Sequence, residues 1–168
     1  MRSEARTVVV GIGNDFRRDD GVGPVVVETL RSRASVGALP AGTELRSCGG
    51  DPVRLIEWWD DAEFAVVVDA ARVRPGYPGR VHRLEPGPGQ PARFPTTSSH
   101  GFGLVEAWCL AQVLGRLPRR LVVHAVEIAD ASVGMGLSPG VAAAVPYVSD
   151  GVVSEIVRHR EGAATRRG

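Results

Sequence analysis

The stretch Thr7–Leu30, TVVVGIGNDFRRDDGVGPVVVETL, constrains the fold more than any other part of the chain. It begins with an apolar, β-branched run (Val8, Val9, Val10, Ile12) long enough for one strand buried on both faces. The chain then turns through Gly11, Gly13 and Asn14, carries the carboxylate pair Asp19 and Asp20, and passes Gly21 and Gly23. Val22, Val25, Val26, Thr29 and Leu30 follow at helical spacing. Strand, tight polar loop and helix in succession are the opening unit of an open α/β sheet. Ligands of such sheets sit at the carboxyl ends of the strands, where this loop falls.

The rest of the chain repeats the alternation. A first helix is expected from about Val22 to Ser32, a loop over Ala34–Gly42, and a strand over Thr43–Cys48. Asp51 is placed to cap a helix PVRLIEWWDD, with Pro52 at its first position. FAVVV (Phe64–Val68) is a second continuous apolar strand, ending on Asp69. Arg72–Phe94 is rich in proline and glycine, and only Arg80–Leu84 reads as a strand, at a sheet edge. Ser99 is the expected cap of an apolar helix through Leu104, Trp108 and Val113, ended by Gly115 and Pro118. Leu121–Ile128 is a further strand, ADASVGMGLSPG a loop, and Val141 to about His159 a last helix with a break near Pro146. The fold expected is α/β: a single-domain three-layer sandwich over residues 1–161, a twisted, mostly parallel sheet with helices on both faces, and a disordered polar tail over 162–168.

Charge and composition narrow the partners. Net charge is +1 with both signs interspersed, so neither nucleic acid nor a membrane surface is expected as the main partner. No apolar run approaches the ~20 residues of a bilayer span. MRSEAR leads directly into the first strand without a signal-peptide pattern, and a cytoplasmic protein is expected. Cys48 and Cys109 have no metal-site spacing and read as small buried hydrophobes. The Trp58-Trp59 pair reads mainly as core.

Three loops deliver candidate chemistry: Asp19 and Asp20 after the first strand, Asp69 after FAVVV, and His100 before the Trp108 helix. In a parallel sheet these converge on one edge. Two carboxylates and one imidazole suit Zn2+, Ni2+ or Mn2+ and leave positions open for water and substrate. Each also has a plainer use: Asp20 at a helix dipole, Asp69 as a loop cap, His100 as a surface histidine. His82 sits in the edge strand, His124 reads as a satisfied core residue, and His159 as solvated; Glu127 could support the site from behind. A nucleotide site does not fit. Phe16 stands where a dinucleotide fingerprint needs its third glycine, no Walker lysine follows, and the aspartates would repel phosphate.

Taken together, GIGNDFRRDDGVG (Gly11–Gly23), VVVDA (Val66–Ala70), SSHGFGL (Ser98–Leu104) and VEI followed by GMGLSP (Val126–Ile128, Gly134–Pro139) resemble the maturation endopeptidases of [NiFe] hydrogenases, in the family's order over about residues 7–157. The resemblance implies an endopeptidase that removes the C-terminal extension of a hydrogenase large-subunit precursor after nickel insertion. The family's metal-contacting positions fall on Asp20, Asp69 and His100; the residues themselves leave Asp19 and Asp20 as alternatives. The implied metal is Ni2+ carried by the precursor, with Zn2+ or Cd2+ able to stand in for it in crystals. The acidic position is often glutamate in the family, and Asp20 has a reach shorter by roughly 1–1.5 Å. Gly50-Asp51-Pro52 stands where many members have a threonine, and the proline-rich segment before His100 bears on substrate fit.

Two rival readings stay open at this point. One is a non-catalytic chaperone that binds nickel or the precursor on the same fold. The other is a peptidyl-tRNA hydrolase-like esterase, which also opens with a strand and a GxGN turn but needs a histidine soon after it; here the first is His82.

Overall fold

The apolar runs become strands for the reason their composition suggests. In the computed structural model, which describes residues 6–90 and 103–165, β1 (Thr7–Ile12), β2 (Thr43–Cys48), β3 (Phe64–Ala71), β4 (Val81–Leu84) and β5 (Leu121–Glu127) form one sheet in the order β2-β1-β3-β5-β4. Every neighbouring pair is parallel except the β4 edge, which is antiparallel to β5. β1, β3 and β5 are buried along their whole length, as strands covered on both faces must be.

Four helices supply the cover: α1 (Val22–Ser35), α2 (Pro52–Trp59), α3 (Leu104–Leu114) and α4 (Pro139–Thr165). Alternate strand residues face opposite layers. Val9, Val66, Val68 and Val122 pack with Val26 and Leu30 of α1 and Val148 and Val152 of α4. Val8, Val10, Val67 and Val123 pack with Leu55 and Trp59 of α2 and Leu104 and Trp108 of α3. This is the expected three-layer α/β sandwich. Trp59 is fully buried in that second core and Trp58 packs against it.

The glycines of the first motif are packing requirements. A Cβ on Gly23 would lie 2.5 Å from the Ile12 carbonyl oxygen and 2.7 Å from that of Val68, so the first turn of α1 rests directly on β1 and β3. Gly13 adopts φ +151°, and a side chain there would run into the Asp20 carbonyl.

Several boundaries differ from the sequence expectation. β3 continues to Ala71, so Asp69 lies inside the strand, opposite Ala125 of β5, rather than just after it. α4 passes through Pro146 unbroken. Pro146 and Ala142, four residues before it, are both exposed, so the carbonyl that loses its intrahelical donor faces water. The helix runs on to Thr165, past His159 and into the expected tail. The His159 ring, expected in solvent, stacks on Phe64 at 4.5 Å, and Arg160 donates to the Ala41 carbonyl at 2.6 Å. By length and composition alone α4 could cross a membrane, but its Val141, Val145, Val148, Val152 and Ile156 are buried in the domain core. Neither cysteine is a buried hydrophobe: Cys48 is half-buried, Cys109 is exposed, and both are free.

Asp51 caps α2 as expected, its carboxylate accepting from the Val53 and Arg54 N–H groups at 2.9 and 3.4 Å. Asp51→Ala should lower stability by about 1 kcal/mol, read as a lower urea midpoint at unchanged slope.

Candidate active site

A single 3-10 turn, Arg18–Gly21, joins the β1 loop to α1 and sends its two aspartates different ways. Asp19 is fully buried. Its Oδ2 accepts from the N–H groups of Ala129 and Asp130, both at 3.0 Å, and from the Ser138 hydroxyl at 2.9 Å; its Oδ1 accepts from the Ser138 N–H at 2.6 Å. All four donors belong to the loop that follows β5. Asp20, also buried, turns toward the β1 loop, where its Oδ2 accepts from the Asn14 N–H at 3.0 Å.

Asp69 lies one residue beyond the Gly11↔Val68 register, so it sits beside the carboxyl end of β1. It follows Ala65 and Val67 in alternation, which puts its side chain on the α2/α3 face. It is 4% exposed. Oδ1 accepts from the Ala70 N–H at 2.8 Å, while the buried Oδ2 has no partner among the described residues. Burial pushes the Asp69 carboxyl up to about 7; the Ala70 N–H works against this, and the charge of Asp20 adds to it. The structure thus brings Asp20 and Asp69 into electrostatic contact in a water-poor corner.

α3 ends beside α2, since Arg116, just past it, pairs with Asp60, the cap of α2, at 2.6 Å. Both helices then lead into strand starts, so α3 begins toward the carboxyl edge, on Asp69's face. The histidine expected there, His100, lies outside the described residues, as does Ser99. The cap position of α3 is held by Gly103, not Ser99, and the Gly103 N–H donates to Glu106 at 2.8 Å. Among the described residues, no group of three or more His, Cys, Asp and Glu side chains is placed to hold a metal ion.

The remaining candidates are engaged elsewhere. Glu127 accepts from the Tyr77 N–H and pairs with His82 at 2.6 Å. Burial would raise its carboxyl, but these contacts hold it below the ordinary range. His124, expected to be satisfied, is buried with no partner for Nε2 among the described residues, and that burial lowers its pKa. Its ring lies under α4, where Gly151 makes room for it. A cavity of about 460 Å³ opens beside the Asp20 turn, lined by Gly13, Asn14, Phe16, Pro24, Ser47 and Cys48 among others. Burial pushes the Cys48 thiol up against the pull of the Gly50 and Asp51 N–H groups, which leaves it a poor nucleophile at neutral pH. The structural role of Asp19 was not legible in the sequence; the only trace was Ser138 within GMGLSP, a hydroxyl in a glycine-rich loop.

Known proteins resemble this chain in sequence and fold. The sequence model of the hydrogenase maturation protease family (HycI) matches residues 25–155. The hydrogenase expression/formation protein HupD of Rhodobacter capsulatus is 31% identical over 157 residues, covering 90% of this chain and 71% of HupD. The hydrogenase 2 maturation protease of Escherichia coli is 25% identical over 152 residues, 90% of each chain. In structure, the E. coli hydrogenase maturating endopeptidase HybD superposes with a TM-score of 0.73 at 22% identity, over 91% of this chain and 93% of HybD. A hydrogenase 2 maturation peptidase from a thaumarchaeon gives 0.66 at 27% identity, over 90% and 97%. The α/β fold is that of these enzymes, and the family match covers most of the chain: it belongs to the hydrogenase maturation proteases, which are endopeptidases that process hydrogenase precursors.

Proposed function

We propose that this protein removes the C-terminal extension of a nickel-loaded [NiFe] hydrogenase large-subunit precursor, and that Asp20, Asp69 and His100 receive the precursor's nickel. The observation that carries the reading is the Asp69 carboxylate: buried, with one oxygen unpartnered among the described residues and the charge of Asp20 beside it. Such a pair is costly in the free protein and is relieved by a divalent cation. The nickel is cargo of the substrate. An unloaded precursor would leave the buried Asp69 oxygen without a cation, so binding itself discriminates loaded from unloaded chains. Docked nickel supplies a Lewis acid at the scissile carbonyl or a water of lowered pKa. The protein's own residues hold and orient it. Two free cysteines accord with a reducing compartment and with the cytoplasm as the place of reaction.

The test mixes purified protein with nickel-loaded and nickel-free precursor and follows the mass of the large subunit. Only the loaded precursor should lose its extension. His100→Ala and Asp69→Asn should each abolish the loss while circular dichroism stays native. Equal cleavage of the nickel-free precursor ends the nickel reading, and full activity in both variants removes those residues from the site. Binding without mass loss would favour the chaperone. Membership of the protease family leaves the esterase reading without support.

A further inference from the structure

Phe16, Val133 and Met135 are 66%, 78% and 72% exposed, three large apolar side chains held in water on two loops distant in sequence. The loops are fastened to each other. The Gly134 N–H donates to the Phe16 carbonyl and the Arg18 N–H to the Gly134 carbonyl, both at 2.9 Å, which makes a parallel bridge between Arg17 and Gly134. The Asp19 N–H donates to the Asp130 carbonyl at 3.0 Å, and the Asp19 carboxylate gathers the N–H groups of Ala129, Asp130 and Ser138. Phe16 is next to one end of the bridge, and Val133 and Met135 flank the other. Exposure at these three positions is therefore built into a braced pair of loops.

The position of this surface identifies its occupant. Asp20 and Asp69 are 5% and 4% exposed, so a metal carried by another protein reaches them only if that protein presses against the rim around them. Phe16 borders that rim: it lies in the loop that Asp20 closes by accepting from the Asn14 N–H, and it lines the cavity beside the turn. The bridge in turn fixes the Val133–Met135 loop next to Phe16. Aromatic and methionine side chains are enriched at such contacts, and methionine adapts its shape to a partner.

We infer that Phe16, Val133 and Met135 form an apolar lip on which the hydrogenase large-subunit precursor docks while its metal enters the carboxylate corner. The inference rests on the function proposed above and adds the surface that recognises the substrate protein. Asp19 is its positioning residue, because it holds the Val133–Met135 loop beside Phe16.

The test is the triple variant Phe16→Ser, Val133→Ser, Met135→Ser, whose side chains contribute little packing. KM for nickel-loaded precursor should rise about tenfold or more, while kcat falls by less than about twofold and the response of the protein to Ni2+ alone is unchanged. Affinity for the same precursor, measured by interferometry, should weaken in parallel. A KM within twofold of wild type overturns the lip. So does a variant that turns a self-associating wild type into a monomer without changing KM, since the lip would then be a contact between copies. If the wild-type protein does not cleave the precursor, the proposed function fails first and the lip is judged on affinity alone. Weaker binding by the variant upholds it; equal binding, or none by either protein, overturns it.

Discussion

Asp69→Asn should make the metal-free protein more stable at pH 8 and inactive as a protease. The carboxyl has an ordinary value of 3.8 and is raised to about 7 in the folded chain. A group raised on folding binds its proton more tightly in the native state. Its contribution is intact below the unfolded value, declines as pH rises between the two values, and is lost above the folded one. Over about three pH units at about 1.4 kcal/mol each, the ionised side chain costs the native state on the order of 4 kcal/mol at pH 8. Asparagine keeps the shape and the acceptor for the Ala70 N–H but cannot ionise. The melting temperature should rise by roughly 10 °C at pH 8 and by little at pH 4. Ni2+ should raise the melting temperature of the wild type at pH 8 and leave that of the variant where it was. A variant no more stable than wild type at pH 8 would mean that Asp69 does not carry an uncompensated charge. A variant that still cleaves would remove it from the site.

The strand–loop–helix core was legible because its residues obey one rule each. Val8, Val9 and Val10 are β-branched and doubly buried, Asp51 and Pro52 stand at the helix start, and Gly11 and Gly23 allow a helix to rest on a strand. Two departures came from tertiary packing overriding local signals. Pro146 does not break α4, because the freed carbonyl is solvated and the buried face of the helix is anchored on α1. Asp69 does not end β3, because pairing with β5 continues past it to Ala71 and Glu127. At the site, the convergence of the Asp20 turn and Asp69 on one edge followed from parallel topology. The choice between Asp19 and Asp20 did not, since neighbours in a tight turn point in different directions and only the fold reveals what each direction meets. The sheet could not disclose the Phe16 lip either: Phe16 and Gly134 are bridged by backbone bonds that carry no side-chain signature.

The same contrast yields the second large effect. Asp19→Ala should unfold the loop brace, whereas Asp20→Asn should leave stability nearly unchanged. Removing the Asp19 carboxylate strips the acceptor from three backbone N–H groups and one hydroxyl at once. Hydrogen bonds to a charged group contribute about 1.5–3 kcal/mol each. Ala129 and Asp130 are exposed enough for water to replace part of that, so a net loss of about 3 kcal/mol is expected. At a few degrees per kcal/mol, the melting temperature falls by roughly 6–12 °C. Asp20→Asn retains an oxygen for the Asn14 N–H and lifts a like charge from Asp69, so the change should stay within about 1 kcal/mol. Cleavage should divide the other way. Asp20→Asn loses turnover at native stability, while Asp19→Ala, assayed well below its melting temperature, keeps part of its kcat and shows a raised KM because the Val133–Met135 loop is no longer held beside Phe16. Thermal melts and steady-state cleavage of both variants at pH 8 check the pattern. An Asp19→Ala protein as stable as wild type, or an Asp20→Asn protein with full turnover, would mean that the two neighbouring carboxylates do not divide the work between brace and metal in this way.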